Sequence, residues 1–294
     1  MPLDFLRQGI VWAMKENLNI QFVYPDYPLP DEYRAVIETI DHTKIGPLGC
    51  GEQLDVVVID GLSGVGGSAV ADNHNSSYVW HATLAALEER IPDVLAALRN
   101  CERLNVMMSG IETWGQKDFD RYKAVLDTLA DGIVELYEQG QTPQLNILTD
   151  RLTLDGMNNC GAGDTSLTLA PDGLLYTCPA YYWECRDGAL GRGLPLHAAT
   201  VAEIPNRQLY RLDHAPICRQ CDAFQCPRCI WQNEHLTGDA NTPSHQQCVT
   251  AHLERNSSRR LQQELVKRSI RLQNSYEIKE ISYLDPFVIA TRWK

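Results

Sequence analysis

Apolar residues alternate along the first half of the chain between short continuous runs and helix-spaced stripes. Asn19-Ile20-Gln21-Phe22-Val23-Tyr24 predicts a strand that Pro25 ends. Asp55 to Ile59 is a brief apolar run of the kind found where both faces of a strand are covered. Leu104 to Met108 predicts a third strand and Leu145 to Thr149 a fourth. Between them, Pro30-Asp31-Glu32 opens a helix with acids at its N-terminus, which suits the helix dipole. Ala82 to Asn100 gathers Leu84, Leu87, Ile91, Val94, Leu95 and Leu98 on one helical face. Asp118 to Gln139 does the same with Tyr122, Val125, Leu126, Leu129 and Ile133. Four strands separated by helices predict an α/β fold with a mostly parallel sheet, a partial βα barrel rather than a closed eight-stranded one.

The pattern changes at Met157-Asn158-Asn159-Cys160-Gly161. Ser166 to Leu169 and Leu174 to Thr177 flank Ala170-Pro171-Asp172-Gly173, the signature of a hairpin with a tight turn. Pro, Cys and Gly are then dense through residue 243, with little helical periodicity. Such a segment buries little apolar surface, and bound metal is the usual substitute. A polar helix is expected from Ser244 to about Asn274, then a last strand from Ile281 to Ile289. The expected domains are residues 1–152, the partial barrel; 153–253, a small cysteine-rich domain; and 254–294, a C-terminal helix and strand.

Composition narrows the class. The 294 residues have an ordinary globular share of apolar and charged positions, and the formal net charge is −12. So acidic a chain repels phosphate backbones, which argues against nucleic acid as a partner. No run reaches the ~18 apolar residues of a membrane helix, and the start lacks the basic and apolar regions of a signal peptide. A cytoplasmic protein with no membrane partner is the expectation.

Ten cysteines change the picture. Cys50 and Cys101 stand apart and read as inert buried thiols, while Cys160, Cys178, Cys185, Cys218, Cys221, Cys226, Cys229 and Cys248 crowd into under a third of the chain. In a reducing cytoplasm that clustering favours metal ligation over disulfides. Cys218-Arg219-Gln220-Cys221 and Cys226-Pro227-Arg228-Cys229 have the two-residue spacing that lets paired thiolates chelate one metal. Structural zinc tetrads and iron–sulfur clusters both use such thiolates, and spacing alone leaves both open.

The order Cys-x12-Gly-x4-Cys, then Cys-x2-Cys-x4-Cys-x2-Cys, then a final Cys resembles the SPASM domain. That domain is the auxiliary iron–sulfur module of radical-SAM peptide-modifying enzymes. The usual middle segment has five and three intervening residues where this chain has four and two. The resemblance implies two [4Fe-4S] clusters, one on Cys218, Cys221, Cys226 and Cys248. The other would take Cys160, Cys178 and Cys229, with Cys185 the candidate fourth ligand.

The radical-SAM Cys-x3-Cys-x2-Cys loop is missing. After Tyr24 the chain reads Pro25-Asp26-Tyr27-Pro28-Leu29-Pro30, and Ser68 follows Gly66-Gly67 where many such enzymes have Glu. Without three thiolates there is no open iron to bind and cleave S-adenosylmethionine, so that cofactor is not expected. The whole chain resembles the CXXX repeat peptide maturases, radical-SAM/SPASM-like proteins lacking the radical-SAM cysteines. The resemblance is carried by Phe22 to Asp26, Leu29 to Tyr33, Ile40-Asp41-His42, Asn159 to Gly163, Leu169 to Gly173 and Tyr176 to Ala180. It implies a role in maturing a ribosomally made, cysteine-containing precursor peptide, with an accessory maturation protein as a further partner. The alternative is a non-catalytic peptide-binding scaffold with structural zinc or iron–sulfur sites.

No nucleophile, acid or base is identifiable, so the catalytic residues are unassigned. The glycine-rich stretch 61–67 lacks the Lys and Ser/Thr of a phosphate loop and reads as a turn. His214, His235, His245 and His252 lie near the cysteines, and one of them could replace Cys185. Tyr24, Asp26 and His42 flank the first βα unit, where a barrel mouth would hold substrate. Arg255, Arg259, Arg260, Lys267, Arg268 and Arg271 make a basic stretch that reads as a solvated helix face or a grip for an acidic leader peptide.

Overall fold

The structure is a computed structural model that describes residues 1–62, 77–184, 194–195, 206–272 and 274–278. Cys185, the glycine-rich stretch from Ser63 onward and the strand expected over 281–289 lie outside the described residues.

The architecture is mixed α/β. A five-stranded sheet has the order β1 (Gln21–Val23), β2 (Thr43–Pro47), β3 (Val56–Ile59), β4 (Ser77–Ala82), β5 (Arg103–Met108). The pairs β1–β2, β2–β3 and β4–β5 run parallel. A smaller antiparallel sheet joins β6 (Thr168–Leu169), β7 (Leu174–Tyr176) and β8 (Leu194–Pro195). Contacts divide the chain into two units. One comprises Met1–Val58, Asn159–Gln220 and Arg228–Thr242; the other comprises Ile59–Asn158, Cys221–Pro227 and Pro243–Lys294.

The first unit holds β1, β2 and all but the last residue of β3 with helices α1 (Leu3–Lys15) and α2 (Asp31–Ile37). Helix α1 turns Leu6, Ile10 and Ala13 inward, and Gly9 on the same face lets Leu169 of the hairpin approach. Leu169 and Trp12 pack on buried Leu175, which anchors the hairpin. The hairpin lies where the Pro-Asp-Gly signature put it. Gly173 has φ +83° with the Phe5 ring close by, and the Asp172 carboxylate accepts the Leu174 amide at 3.0 Å.

The second unit is built on two long helices, α5 (Gln116–Glu138) and α9 (His245–Lys267). Helix α5 buries Tyr122, Val125, Leu126, Leu129 and Ile133, the stripe predicted from its spacing, and Leu136 as well. Helix α9 starts at a capping box, Ser244 and Gln247 each bonding the other's backbone N–H. It ends at Lys267, a turn or two before the expected end. Bonds from Tyr122 to Glu254, Arg260 to Asp131 and Arg268 to Glu138 tie the two helices side by side in the same direction.

Two expected elements are corrected. The helix predicted over Ala82 to Asn100 is two helices, α3 (Leu84–Glu89) and α4 (Ile91–Ala97), because Pro92 has no N–H to continue the ladder. The strand predicted at Leu145 to Thr149 is a single bridge, Leu145 to Leu104, followed by a turn into α6 (Asp150–Thr153). The Asn146 side chain takes the place of a backbone partner, accepting the Val106 N–H at 2.8 Å and donating to the Val106 carbonyl at 3.0 Å. The Thr149 hydroxyl bonds back to Leu145 and closes the turn. The remaining helices are α7 (Pro179–Glu184) and α8 (Ile230–Thr237). Among the described residues no helix is long and apolar enough to cross a membrane.

Candidate metal centre

In the first unit, three thiols from distant segments come into one neighbourhood. Cys160 precedes a tight turn in which the Thr165 and Ser166 amides both bond the Gly161 carbonyl at 2.8 Å. Gly163 within it has φ +77°, and a Cβ there would lie 2.9 Å from the Tyr210 ring. The hairpin returns the chain to Cys178, whose sulfur accepts the amides of Ala180 and Tyr181 in α7. Cys229 caps α8, its sulfur accepting the Gln232 amide at 3.5 Å. Cys160 and Cys178 pack against buried Ala162, Tyr210, Ile230 and Ala240.

The electrostatics show the grouping. Burial pushes the Cys178 thiol up to about 11; its amide bonds oppose this, and the charges of Cys229 and Cys160 add to it. Cys229 is raised chiefly by burial, with Cys160 contributing. Such thiols stay protonated near neutral pH, and a cation binding them displaces the protons. Sulfurs with amide donors in a small apolar shell suit thiolate-ligated metal. Even so, among the described residues no three His, Cys, Asp or Glu side chains form a ready-made ligand set. The donor chemistry suits a metal, whereas no closed ligand set is preformed among the described residues. None of the nine described cysteines is in a disulfide.

Arg228, given no role by sequence reasoning, organises this neighbourhood. It is 2% exposed, has φ 47°, and directly precedes Cys229. Its guanidinium donates to Asn159 Oδ1 at 2.5 Å, to Asn241 Oδ1 at 2.7 Å and to the Tyr210 carbonyl. Asn159 in turn donates to the Cys160 carbonyl at 3.0 Å. One side chain thus ties together segments around residues 159, 210 and 241.

The second unit contains Cys221, Cys226 and Cys248. Cys221 Sγ receives the Ala223 amide at 3.4 Å and lies 3.4 Å from His252 Nε2 of α9. The loop around it is clamped. Asp222 is 1% exposed and paired with Arg255 at 2.5 Å. Its carbonyl accepts Arg151 Nε at 2.8 Å, and the Arg151 guanidinium lies over the Phe224 ring. Gln225 donates to the Ala251 carbonyl at 2.7 Å. Cys248 sits in the first turn of α9. Cys218, in a short turn of the first unit, is buried.

The other expected residues fall as follows. Cys50 is buried, and burial raises Cys101 to about 11. Tyr24 is buried with no hydrogen-bond partner found for its hydroxyl among the described residues; Asp26 is exposed. His42 bonds the Ile40 carbonyl and meets Phe22 edge-on. His235 stacks on Trp231, and His245 meets Phe119. Of the basic stretch, Arg255, Arg260 and Arg268 pair with acids of other segments, and Lys267 with Glu264. No family model and no curated protein matches the chain.

Proposed function

We propose that this chain is an iron–sulfur protein that binds or modifies a cysteine-containing, ribosomally made peptide without radical-SAM chemistry. The observation supporting the metal is the gathering of Cys160, Cys178 and Cys229, the three thiols that the SPASM resemblance assigns to one cluster, with amide donors on two of them. The resemblance assigns Cys218, Cys221, Cys226 and Cys248 to a second cluster, for which the described residues hold no ready-made ligand set. On this reading the parallel strands belong to a partial barrel and the cysteine-rich segments to a SPASM-like module. The peptide substrate rests on the resemblance to CXXX repeat peptide maturases.

When bound, a cluster would supply an electron relay, a clamp or an open iron for substrate sulfur. The chain's own residues would fix the thiolates and shield them. Anaerobic purification with iron, sulfide and zinc quantified per chain tests the metal. The reading expects iron and sulfide with a broad absorption shoulder near ~400 nm. Serine at Cys160, Cys178 and Cys229 together should remove about half of the iron; a colourless zinc protein would replace this reading with the structural one. Incubation with a cysteine-repeat peptide and mass analysis then separates a modifying enzyme from a binder.

A further inference from the structure

We infer that the cleft between the C-terminal half of α9 and the chain that folds back along it docks a short peptide segment that is both acidic and apolar. The inference rests on the peptide-binding reading above and says where an acidic stretch of that peptide is held. The cleft has a volume of about 900 Å³ and is lined by residues of the second unit alone. Its wall is built in. The chain turns at Ser269, with φ 59°, and the amides of Arg268, Ser269 and Ile270 bond the carbonyls of Glu264, Val266 and Leu265. These helix-end carbonyls are therefore already satisfied. Gln262 then pins the returning chain with both ends of its amide. Its nitrogen donates to the Tyr276 carbonyl at 2.7 Å, and its oxygen accepts the Ile278 N–H at 2.9 Å. Ile278 is buried, and the Tyr276 N–H donates to the Leu152 carbonyl at 2.8 Å.

Arg259, Gln262, Val266 and Lys267 follow the spacing of one helical face, and all four line the cleft. Val266 is 68% exposed, and Ile270 and Leu272 add apolar lining beside it. Charge selects the occupant. Arg259, Lys267 and Arg271 line the cleft against one acid, Glu277, a local excess of cations on a chain whose formal net charge is −12. Arg271 has no ion pair among the described residues. Lys267 meets Glu264 in an exposed pair of the kind that contributes little and exchanges readily. Arg259 and Lys267 are eight positions apart on α9, ~12 Å along the axis. Carboxylates spread along a peptide match that span, and a single small anion does not.

The test follows the fluorescence anisotropy of a short labelled peptide of alternating glutamate and leucine, titrated with the full chain and with its Arg271→Glu, Val266→Ser and Lys117→Glu variants. All three positions are exposed, so the fold tolerates the changes. Lys117, at the start of α5 and outside the cleft, carries the same charge reversal as a control. Wild type should bind saturably, and more weakly as salt is added. Arg271→Glu should lose roughly tenfold in affinity, Val266→Ser about threefold, and Lys117→Glu nothing. Absence of saturable binding overturns the inference, as does wild-type affinity in Arg271→Glu or Val266→Ser. An equal loss in Lys117→Glu would reduce the effect to net charge and overturn it too. Equal binding of a peptide with serine in place of leucine would leave only a patch of cations, and displacement of the probe by an equal concentration of octanoate would make the cleft a small-acid site; either result sinks the peptide assignment. A cysteine-repeat peptide that is neither bound nor altered removes the reading above and the inference with it, whereas one that binds while the acidic probe does not removes the inference alone.

Discussion

Arg228 carries a full charge into the interior and spends its donors on neutral oxygens of three segments. Its loss should therefore be felt in all three. Arg228→Met leaves Asn159, Asn241 and the Tyr210 carbonyl short of a donor and should lower unfolding free energy by about 3 kcal/mol or more. Urea unfolding of the metal-free chain measures this; a loss under ~1 kcal/mol would mean the fork is dispensable. Glu254 makes a different residue-scale prediction. Burial pushes its carboxyl up to about 7, against the opposing bonds from Tyr122 and Gln225. Between the ordinary value of 4.5 and about 7, the folded chain keeps a proton that the unfolded chain releases. Stability should therefore fall as pH rises through that window, by on the order of 3 kcal/mol from this group. Glu254→Gln should flatten that slope in urea midpoints taken between pH ~5 and ~8, and equal slopes in both proteins would refute the assignment.

At the scale of elements, the turn after Cys160 is the most constrained. Gly163 needs a left-handed backbone, and the buried Tyr210 ring occupies the space a methyl would take. Gly163→Ala should cost about 2 kcal/mol from both sources, seen as a lower thermal midpoint. The same element was legible beforehand only in part. The hairpin beside it and helix α5 could be read because turn residues and a clean apolar stripe declare themselves. Helix α1 could not, since Phe5, Val11 and Met14 stay exposed on its outer face and blur the stripe of Leu6, Ile10 and Ala13. Strand β4 went unread although Tyr78, Trp80 and Ala82 alternate inward along it. The apolar run at Leu145 misled because Leu145, Ile147 and Leu148 are buried as a strand's would be, while the ladder bonds come from the side chain of Asn146. The clustering of cysteines was plain in the sequence; the contact between Cys221 and His252 was not, because it depends on how α9 is rotated against a loop some thirty residues earlier.

For the whole molecule, the metal binding proposed above would be linked to folding and to protons. A group that binds only the folded chain stabilises it by an amount growing with the logarithm of its free concentration. Removing metal with a chelator should lower the thermal midpoint, and the fall should be reversed by adding metal back. Because the metal-free Cys178 thiol holds its proton up to about 11, ligation must release that proton near neutrality. Apparent metal affinity should therefore rise with pH, and calorimetric titration in two buffers of different ionisation enthalpy should show net proton release. No dependence of the heat on buffer would mean that Cys178 is not a ligand.

The thiols of the first unit are also spread out in time. Cys160 and Cys178 leave the ribosome first, and Cys229 emerges only after fifty further residues have been added beyond Cys178. On the metal reading proposed above, a centre on these three thiols could not be completed before Cys229 has emerged, and delivery of its metal would have to wait for that residue. A growing polypeptide stalled before that point would, on the same reading, present Cys160 and Cys178 without their third partner.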